Sequence, residues 1–312
     1  MTDKPVSYEH APAADFTLGF DLPRAGARGR LVRLDAVSAR ALSAHALPEA
    51  AGRIAAEALV TAAMLGSALK LDGRLTVQTK SDGPLDMVTA DYFGAEEDSG
   101  EPAGLRGFAR MDAAALAELN EALPNFVKLV GDGVMAITIE PRRGEKNYQG
   151  ITKLSPDGLG VSAETYFAQS EQLPTLIRIA AAPVYVPGTK SPHWRAGGMM
   201  VQATPDLPRD EDDWERLKLF LATVEDFELV DTALSAETLL WRLFHEDEVR
   251  VHTANALAFR CDCATGRVAS VLAAYSQAER DGLADADGII RARCEFCGTV
   301  HEVTAAGLAK RE

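Results

Sequence analysis

The chain has 312 residues, 47% of them hydrophobic and 25% charged, a composition suited to a sizeable core with one or two small units and unlike that of a disordered tail. Its formal net charge of -14 opposes the clustered lysine and arginine that a phosphate backbone requires, which argues against nucleic acid as a partner. The first ten residues lack an apolar core of signal-peptide length, and no later stretch approaches about eighteen apolar residues without a charge, so a reducing cytoplasm is expected and a membrane span is not.

Residues 1–15, with Pro5 and Pro12, are expected to form a disordered leader, with order beginning near Phe16. Arg30 to Leu34 alternates polar and apolar residues and predicts a strand. Pro48 opens a helix in which Ile54, Ala58, Ala62, Leu65 and Leu69 recur at intervals of three and four, giving one apolar face that Asp72-Gly73 terminates. Antiparallel strands are predicted over 74–79, 85–92 and 105–111, split by the turn Ser81-Asp82-Gly83-Pro84 and by an acidic loop over 94–104, read as a solvated hairpin tip. A second hairpin pairs 134–139 with 148–151. Ser162 is placed as the cap of a helix carrying Tyr166 and Phe167 that halts at Pro174, and strands over 175–186 and 198–203 close the sheet. Ser170 and Glu171 lack a histidine at useful spacing and read as helix-end groups rather than as nucleophile and acid. There is no glycine-rich phosphate loop or nucleophile elbow, and Gly197-Gly198 alone is too weak a nucleotide signature, so neither an enzyme nor a nucleotide partner is expected.

After Thr204-Pro205 the composition shifts. Asp210-Glu211-Asp212-Asp213 places acids where a helix start favours them, and Trp214, Leu217, Phe220, Leu221, Val224 and Phe227 form an apolar stripe behind. Ser235 can cap a second helix with Leu239, Leu240, Leu243 and Phe244 on its apolar side. At rest these helices are expected to pack on the sheet. Large apolar groups on short charged helices also make a surface that can be uncovered, and Trp214, Leu217, Phe220, Leu221, Val224, Phe227, Leu240, Leu243 and Phe244 are its candidate residues.

All four cysteines lie within the last 52 residues, as Cys261-Asp262-Cys263 and Cys294-Glu295-Phe296-Cys297. Two close sulfur pairs joined by a folded spacer match tetrahedral four-thiolate ligation of one Zn2+. The one-residue gap of the first motif also makes its sulfurs ready disulfide partners once a metal leaves, which suggests a switch as well as a staple. The unit around them, residues 259–303, offers a helix with Val268, Val271, Leu272 and Tyr275, a turn at Asp285-Ala286-Asp287-Gly288 and two short strands, too little to hold together unaided. Arg260 and Arg293 precede the motifs and oppose the charge of Asp262 and Glu295 inside them, and His301 is a spare ligand that four cysteines make unnecessary. The fold class expected is therefore α+β: a mainly antiparallel sheet domain with packed helices over 16–205, a helical linker over 206–258, a small zinc-binding domain over 259–303 and a tail over 304–312.

Several strings make the pattern more specific: R-G-R-L-V-R-L at Arg28 to Leu34, G-D-G-x-x-A-I-T-I at Gly131 to Ile139, Y-Q-G-I at Tyr148 to Ile151, Y-F-x-Q-S-E-Q-L-P-T at Tyr166 to Thr175, and L-L-x-R-L-F-H-E-x-x-V-R-V at Leu239 to Val251. With the cysteine motifs they resemble the heat-shock protein 33 family of redox-regulated bacterial holdase chaperones over roughly 16–303. The resemblance implies an ATP-independent chaperone that binds unfolded proteins under oxidative stress. In that family disulfides corresponding to Cys261–Cys263 and Cys294–Cys297 form, zinc leaves, the C-terminal and linker regions unfold, and the active form is a dimer. Ala264-Thr265-Gly266 and Val300-His301-Glu302-Val303 depart from the family pattern without touching a ligand. Two other readings stay open: a constitutive zinc-stabilised adaptor, and a thiol oxidoreductase using Cys294 and Cys297. Against the last, this C-x-x-C follows a strand over 289–293 instead of opening a helix and carries an acid between its sulfurs.

Overall fold

Alternation of period two puts Phe16, Leu18, Phe20 and Leu22 on one face of β1 (Phe16–Leu22), which pairs antiparallel with β2 (Ala27–Leu34) through a turn at Gly26, whose φ of 57° suits glycine. The computed structural model describes residues 14–308 except 70, 97–99, 143–145, 186, 189–191, 206–209 and 306–307. The expectations for the leader through 13, the middle of the acidic loop, the start of the linker and the tail past 308 lie outside the described residues.

Residue 15 does not belong to a disordered leader. Asp15 is buried, and its carboxylate accepts the backbone N–H groups of Asp35 and Val37 at 2.7 and 2.9 Å and of Ala36 at 3.1 Å, satisfying donors left free at the start of α1 (Ala36–Leu42). Pro48 precedes α2 (Glu49–Ala68) as expected; Ile54, Ala58, Ala62 and Leu65 are buried, while Leu69 falls past the helix end and is exposed. Small residues let this helix lie close to the sheet: a Cβ on Gly52 would meet the Trp194 ring at 2.5 Å, and one on Gly66 the Tyr92 ring at 2.1 Å.

The meander of β3 (Gly73–Ser81), β4 (Met87–Phe93) and β5 (Ala103–Arg110) forms as read. Two short helices follow, α3 (Ala113–Glu118) capped by Asp112 and α4 (Phe126–Val130) capped by Asn125, then the hairpin of β6 (Gly133–Pro141) and β7 (Tyr148–Lys153). Ser162 does not cap the next helix, α5 (Leu159–Tyr166). Gly158, at φ 111°, takes that place, and Ser162 is buried inside, its hydroxyl donating to Gly158 O at 2.8 Å and accepting Ser155 N–H at 2.9 Å. The helix widens into a π-helical turn over Phe167–Glu171, where the Tyr166 hydroxyl donates to Glu171 Oε1 at 3.1 Å. Gly150 backs the Tyr166 ring, where a Cβ would come within 2.2 Å, so Tyr148–Ile151 and Tyr166–Thr175 meet in one packing unit. Strands β8 (Thr175–Val184) and β9 (His193–Ala203) complete this half.

The linker contains three helices, α6 (Glu211–Ala222), α7 (Asp226–Val230) and α8 (Ala236–Phe244), capped by Asp210, Glu225 and Ser235. They cover the β1-β2-β9-β8 face opposite α2, with Leu217, Leu221, Leu240 and Phe244 against Leu18, Phe20, Leu31 and Met199, and the Phe20 and Phe244 rings stacked at 5.8 Å. The linker does not end as helix. It continues as β10 (Arg250–Val251), paired with β1, and β11 (Asn255–Phe259), which lies between β1 and β5, antiparallel to the first and parallel to the second. The order β7-β6-β3-β4-β5-β11-β1-β2-β9-β8 therefore joins two half-sheets through the last strand of the linker. The remaining elements, α9 (Thr265–Leu272), α10 (Gln277–Leu283), β12 (Ile289–Arg293) and β13 (Val300–Thr304), form the C-terminal unit.

Two measurements check this packing. Asp15→Ala strands three N–H groups at the start of α1, that of Val37 buried, and is expected to lower unfolding free energy by about 2 kcal/mol in urea titration. Burial, aided by the negative field of Asp226 on α7 and opposed by Arg53, pushes the Glu57 carboxyl up from 4.5 to about 7. A raised carboxyl pKa means that the fold binds the proton more tightly than the unfolded chain, so stability falls as pH rises from 4.5 through 7. Glu57→Gln should add on the order of 1 kcal/mol at pH ~8 and almost nothing at pH ~4, read as melting temperature at both values.

Candidate metal centre

Strand β11 delivers Cys261 and Cys263, and β12 delivers Cys294. Beyond Cys294 the chain turns back on itself: Gly298 N–H donates to Cys294 O and Cys294 N–H to Thr299 O, both at 2.9 Å, with Gly298 at φ 73°. The turn holds Cys297 beneath it and starts β13 in register, Arg293 opposite Val300. The four Sγ atoms all lie within 4.8 Å of one another, with Cys261 to Cys294 at 3.7 Å and Cys263 to Cys297 at 3.2 Å. Bonds of about 2.3 Å to a central ion would give a tetrahedron with edges of about 3.8 Å, so the cluster has the size and donor set to hold a metal ion. Cys297 is buried and the other three are half-buried.

The electrostatics follow from crowding four thiols. Burial pushes the Cys261 and Cys263 thiols up, whereas at Cys297 the same effect is outweighed by hydrogen bonds with Thr299 and by the neighbouring thiols, which bring it down to about 6. One sulfur can thus carry negative charge alone; holding all four as thiolates requires a cation among them.

Little else supports this unit. Its core consists of Leu272, Ile290, Val303, Ala305 and Leu308, with Val268 packed against it. Of the other residues placed on this helix, Val271 is exposed because it lies off the face that Val268 and Leu272 share, and Tyr275 is exposed beyond the end of α9 at Leu272. Buried Arg280 of α10 donates to Leu308 O, so the unit reaches past the boundary expected at 303. His301 is buried with Nδ1 3.1 Å from Thr265 Oγ1 and lies outside the four-sulfur group.

The motifs dock on the sheet domain through groups that sequence reasoning assigned elsewhere or missed. Arg260, read as balancing charge, pairs with Glu96 of the acidic loop and sits over the Phe93 ring at 5.3 Å. Glu96 also accepts from Arg142 at 3.0 Å, so this end of the loop is an anchor and not only a solvated tip. Arg293 donates to Ala44 O at 2.6 Å. Phe296, between the second pair of cysteines, lies 4.0 Å from the Arg106 guanidinium and edge-on to Phe108 at 4.9 Å. An aromatic inside a C-x-x-C was the only sequence signal for that contact.

The candidate surface residues of the linker fall into three groups. Leu217, Leu221, Val224, Leu240 and Phe244 are buried; Trp214, Phe220 and Leu243 are half-buried against the same cluster; Phe227 is exposed, together with Leu219 and Trp241, which the sequence reading did not single out. None of them belongs to the core of the C-terminal unit.

A profile of the Hsp33 protein family matches residues 15–304. The chain belongs to the Hsp33 family. Among curated relatives it is 36% identical over 312 residues to the 33 kDa chaperonin of Caulobacter vibrioides, covering 98% of this chain and 100% of that one. It is 34% identical over 283 residues to the 33 kDa chaperonin of an Escherichia coli strain, covering 91% and 90%. The crystal structure of the Hsp33 homologue from Thermotoga maritima shares the fold at a TM-score of 0.74 and 18% identity, covering 94% of this chain and 96% of that one. Among the described residues no helix is long and apolar enough to cross a membrane.

If the four sulfurs hold the unit together, Cys297→Ser should cut metal retention in the reduced protein at least tenfold and open residues 259–308 to rapid proteolysis. Unchanged protease resistance would count against metal-dependent folding.

Proposed function

We propose that this protein is an ATP-independent holdase chaperone of the cytoplasm whose client binding is switched on by oxidation. The reading rests on one observation: the four sulfurs form a single cluster at the end of β11, the strand that joins the two half-sheets. Cys261, Cys263, Cys294 and Cys297 would hold one Zn2+ in the reduced form. The ion, when bound, keeps all four sulfurs deprotonated and ties both motifs to one point, a contribution of typically about 10 to 16 kcal/mol in small zinc domains.

A peroxide can take two electrons from each pair of thiolates, its own O–O bond breaking to give water as the S–S bond forms. Paired as the family resemblance implies, Cys261 with Cys263 and Cys294 with Cys297, the sulfurs lose the charge needed for ligation. Their bridges close loops of a few residues and constrain the chain by less than the ~3 kcal/mol expected for a 15-residue loop. Neither bridge connects the two motifs. The C-terminal unit then has only its five-residue core to keep it folded.

The linker helices share no apolar core with this unit, so loss of structure is passed along the chain and not across a packed interface. Residues 255–259 pair with both β1 and β5, and 250–251 with β1. Release of these short strands removes one end of the support of α6–α8. Their apolar faces, from Trp214 to Phe244, then become available to unfolded polypeptides, and a second oxidised copy can share the exposed surface in a dimer.

The test is a single titration. Peroxide should release one zinc per chain in step with the appearance of aggregation suppression toward a denatured test protein, and thiol reductant with zinc should reverse both. Zinc release with no gain of suppression favours the constitutive adaptor. Turnover in an insulin-reduction assay without zinc favours the oxidoreductase.

A further inference from the structure

We propose that the face of β4 and β5 beneath the second cysteine motif is a client-docking site for aromatic side chains, and that Phe296 occupies it in the closed form as an internal competitor. The inference rests on the holdase reading and adds to the linker helices a receptor on the sheet domain.

The receptor is built from groups of the sheet domain that hold one another. Arg106 is almost fully buried, and its Nε donates to buried Asp91 at 2.7 Å, which holds the guanidinium plane fixed against the Phe93 ring at 5.0 Å. Its other contact is Phe296, at 4.0 Å, with Phe108 meeting the same ring at an interplanar angle of 88°. A flat cation with an aromatic wall recognises the π-face of any phenyl or phenol ring, and because both are already ordered, little conformational freedom is lost when a ring docks.

The rim carries paired charge: Arg110 is held mainly by Asp86 at 2.6 Å, with Glu295 only a minor influence, and Arg260, paired with Glu96, closes the other side over Phe93. In the closed form a cleft of about 470 Å³ continues from Phe108 past Leu47 and Met111, walled on its other side by Arg293, Cys294 and Glu295. An extended chain with an acid beside an aromatic therefore fits the site as Glu295-Phe296 does.

What keeps Phe296 in place is the shape of the motif. The turn from Cys294 to Thr299 points the ring at Arg106, and Arg293 ties its root to Ala44. Once the sulfurs no longer converge, the ring is held by a flexible tether, its effective concentration at the site falls, and clients compete for it.

The probe is a fluorescein-labelled, unstructured Gly-Ser peptide carrying three Glu-Phe pairs, with a Glu-Ala version as control, followed by fluorescence anisotropy. Oxidised wild type should bind the Glu-Phe peptide at least fivefold more tightly than the control. Arg106→Lys keeps the charge pair with Asp91 and loses the flat stacking surface; it should erase most of that preference in the oxidised protein. Reduced, metal-loaded Phe296→Ala, with metal content and melting temperature measured alongside, should bind the Glu-Phe peptide where reduced wild type does not. Equal preference in Arg106→Lys, or a reduced Phe296→Ala as closed as wild type, overturns the proposal. An oxidised wild type that shows the preference yet suppresses no aggregation would sink the holdase reading and leave the docking site standing.

Discussion

The constraint on which the rest of the structure depends is the convergence of four sulfur atoms, from two segments separated by a thirty-residue spacer, within 4.8 Å of one another. Four thiolates at that spacing repel, and four crowded thiols, one buried and three half-buried, leave polarisable groups poorly solvated; a central cation relieves both costs. Among the described residues, the surrounding unit's apolar core has five buried side chains, far fewer than an independent domain of its length needs. We propose that its structure is therefore conditional on the state of its sulfurs, whereas the sheet domain has α2 spanning both half-sheets over a continuous core of its own.

Placement turns this local condition into a global one. The first motif directly follows β11, whose few residues complete the hydrogen-bonding of β1 on one side and β5 on the other. Parallel pairing to β5 requires that the chain enter from the linker and leave toward the cysteines, so the linker, the sheet seam and the metal centre are consecutive along one stretch of backbone. The helices α6–α8 meanwhile cover a face of the sheet that includes Phe20, against which Phe244 of α8 stacks. The pairings at the seam are short: β10 and β11 each make two residue pairs with β1, and β11 makes three with β5.

Much of this was legible in the sequence because it was written in local periodicity. The three-and-four spacing of α2 and the stripe from Trp214 to Val224 each specify a buried face, and the alternation of Arg30 to Leu34 specifies strand β2. The four cysteines specified the site by count and spacing alone. Position 162 was misread because a serine ahead of an apolar run is also what a cap looks like, and only the φ of Gly158 shows where α5 begins. Short α3 and α4 carried cap signals in Asp112 and Asn125 but no periodicity long enough to see. Strand β11 has one buried residue in five and no alternation, so its insertion between β1 and β5 follows from topology and not from pattern. The contact of Phe296 with Arg106 joins distant parts of the chain, and no local rule links them.

The most direct test of the account is amide hydrogen exchange on the reduced protein before and after removal of its metal by a chelator, without oxidant. The account predicts that residues 255–304 lose protection, that the helices over 211–244 follow, and that α2 and β3 through β6 keep theirs. Protection at β11 that survives dismantling of the sulfur cluster would contradict it, since the seam of the sheet would then be held by something other than the metal centre.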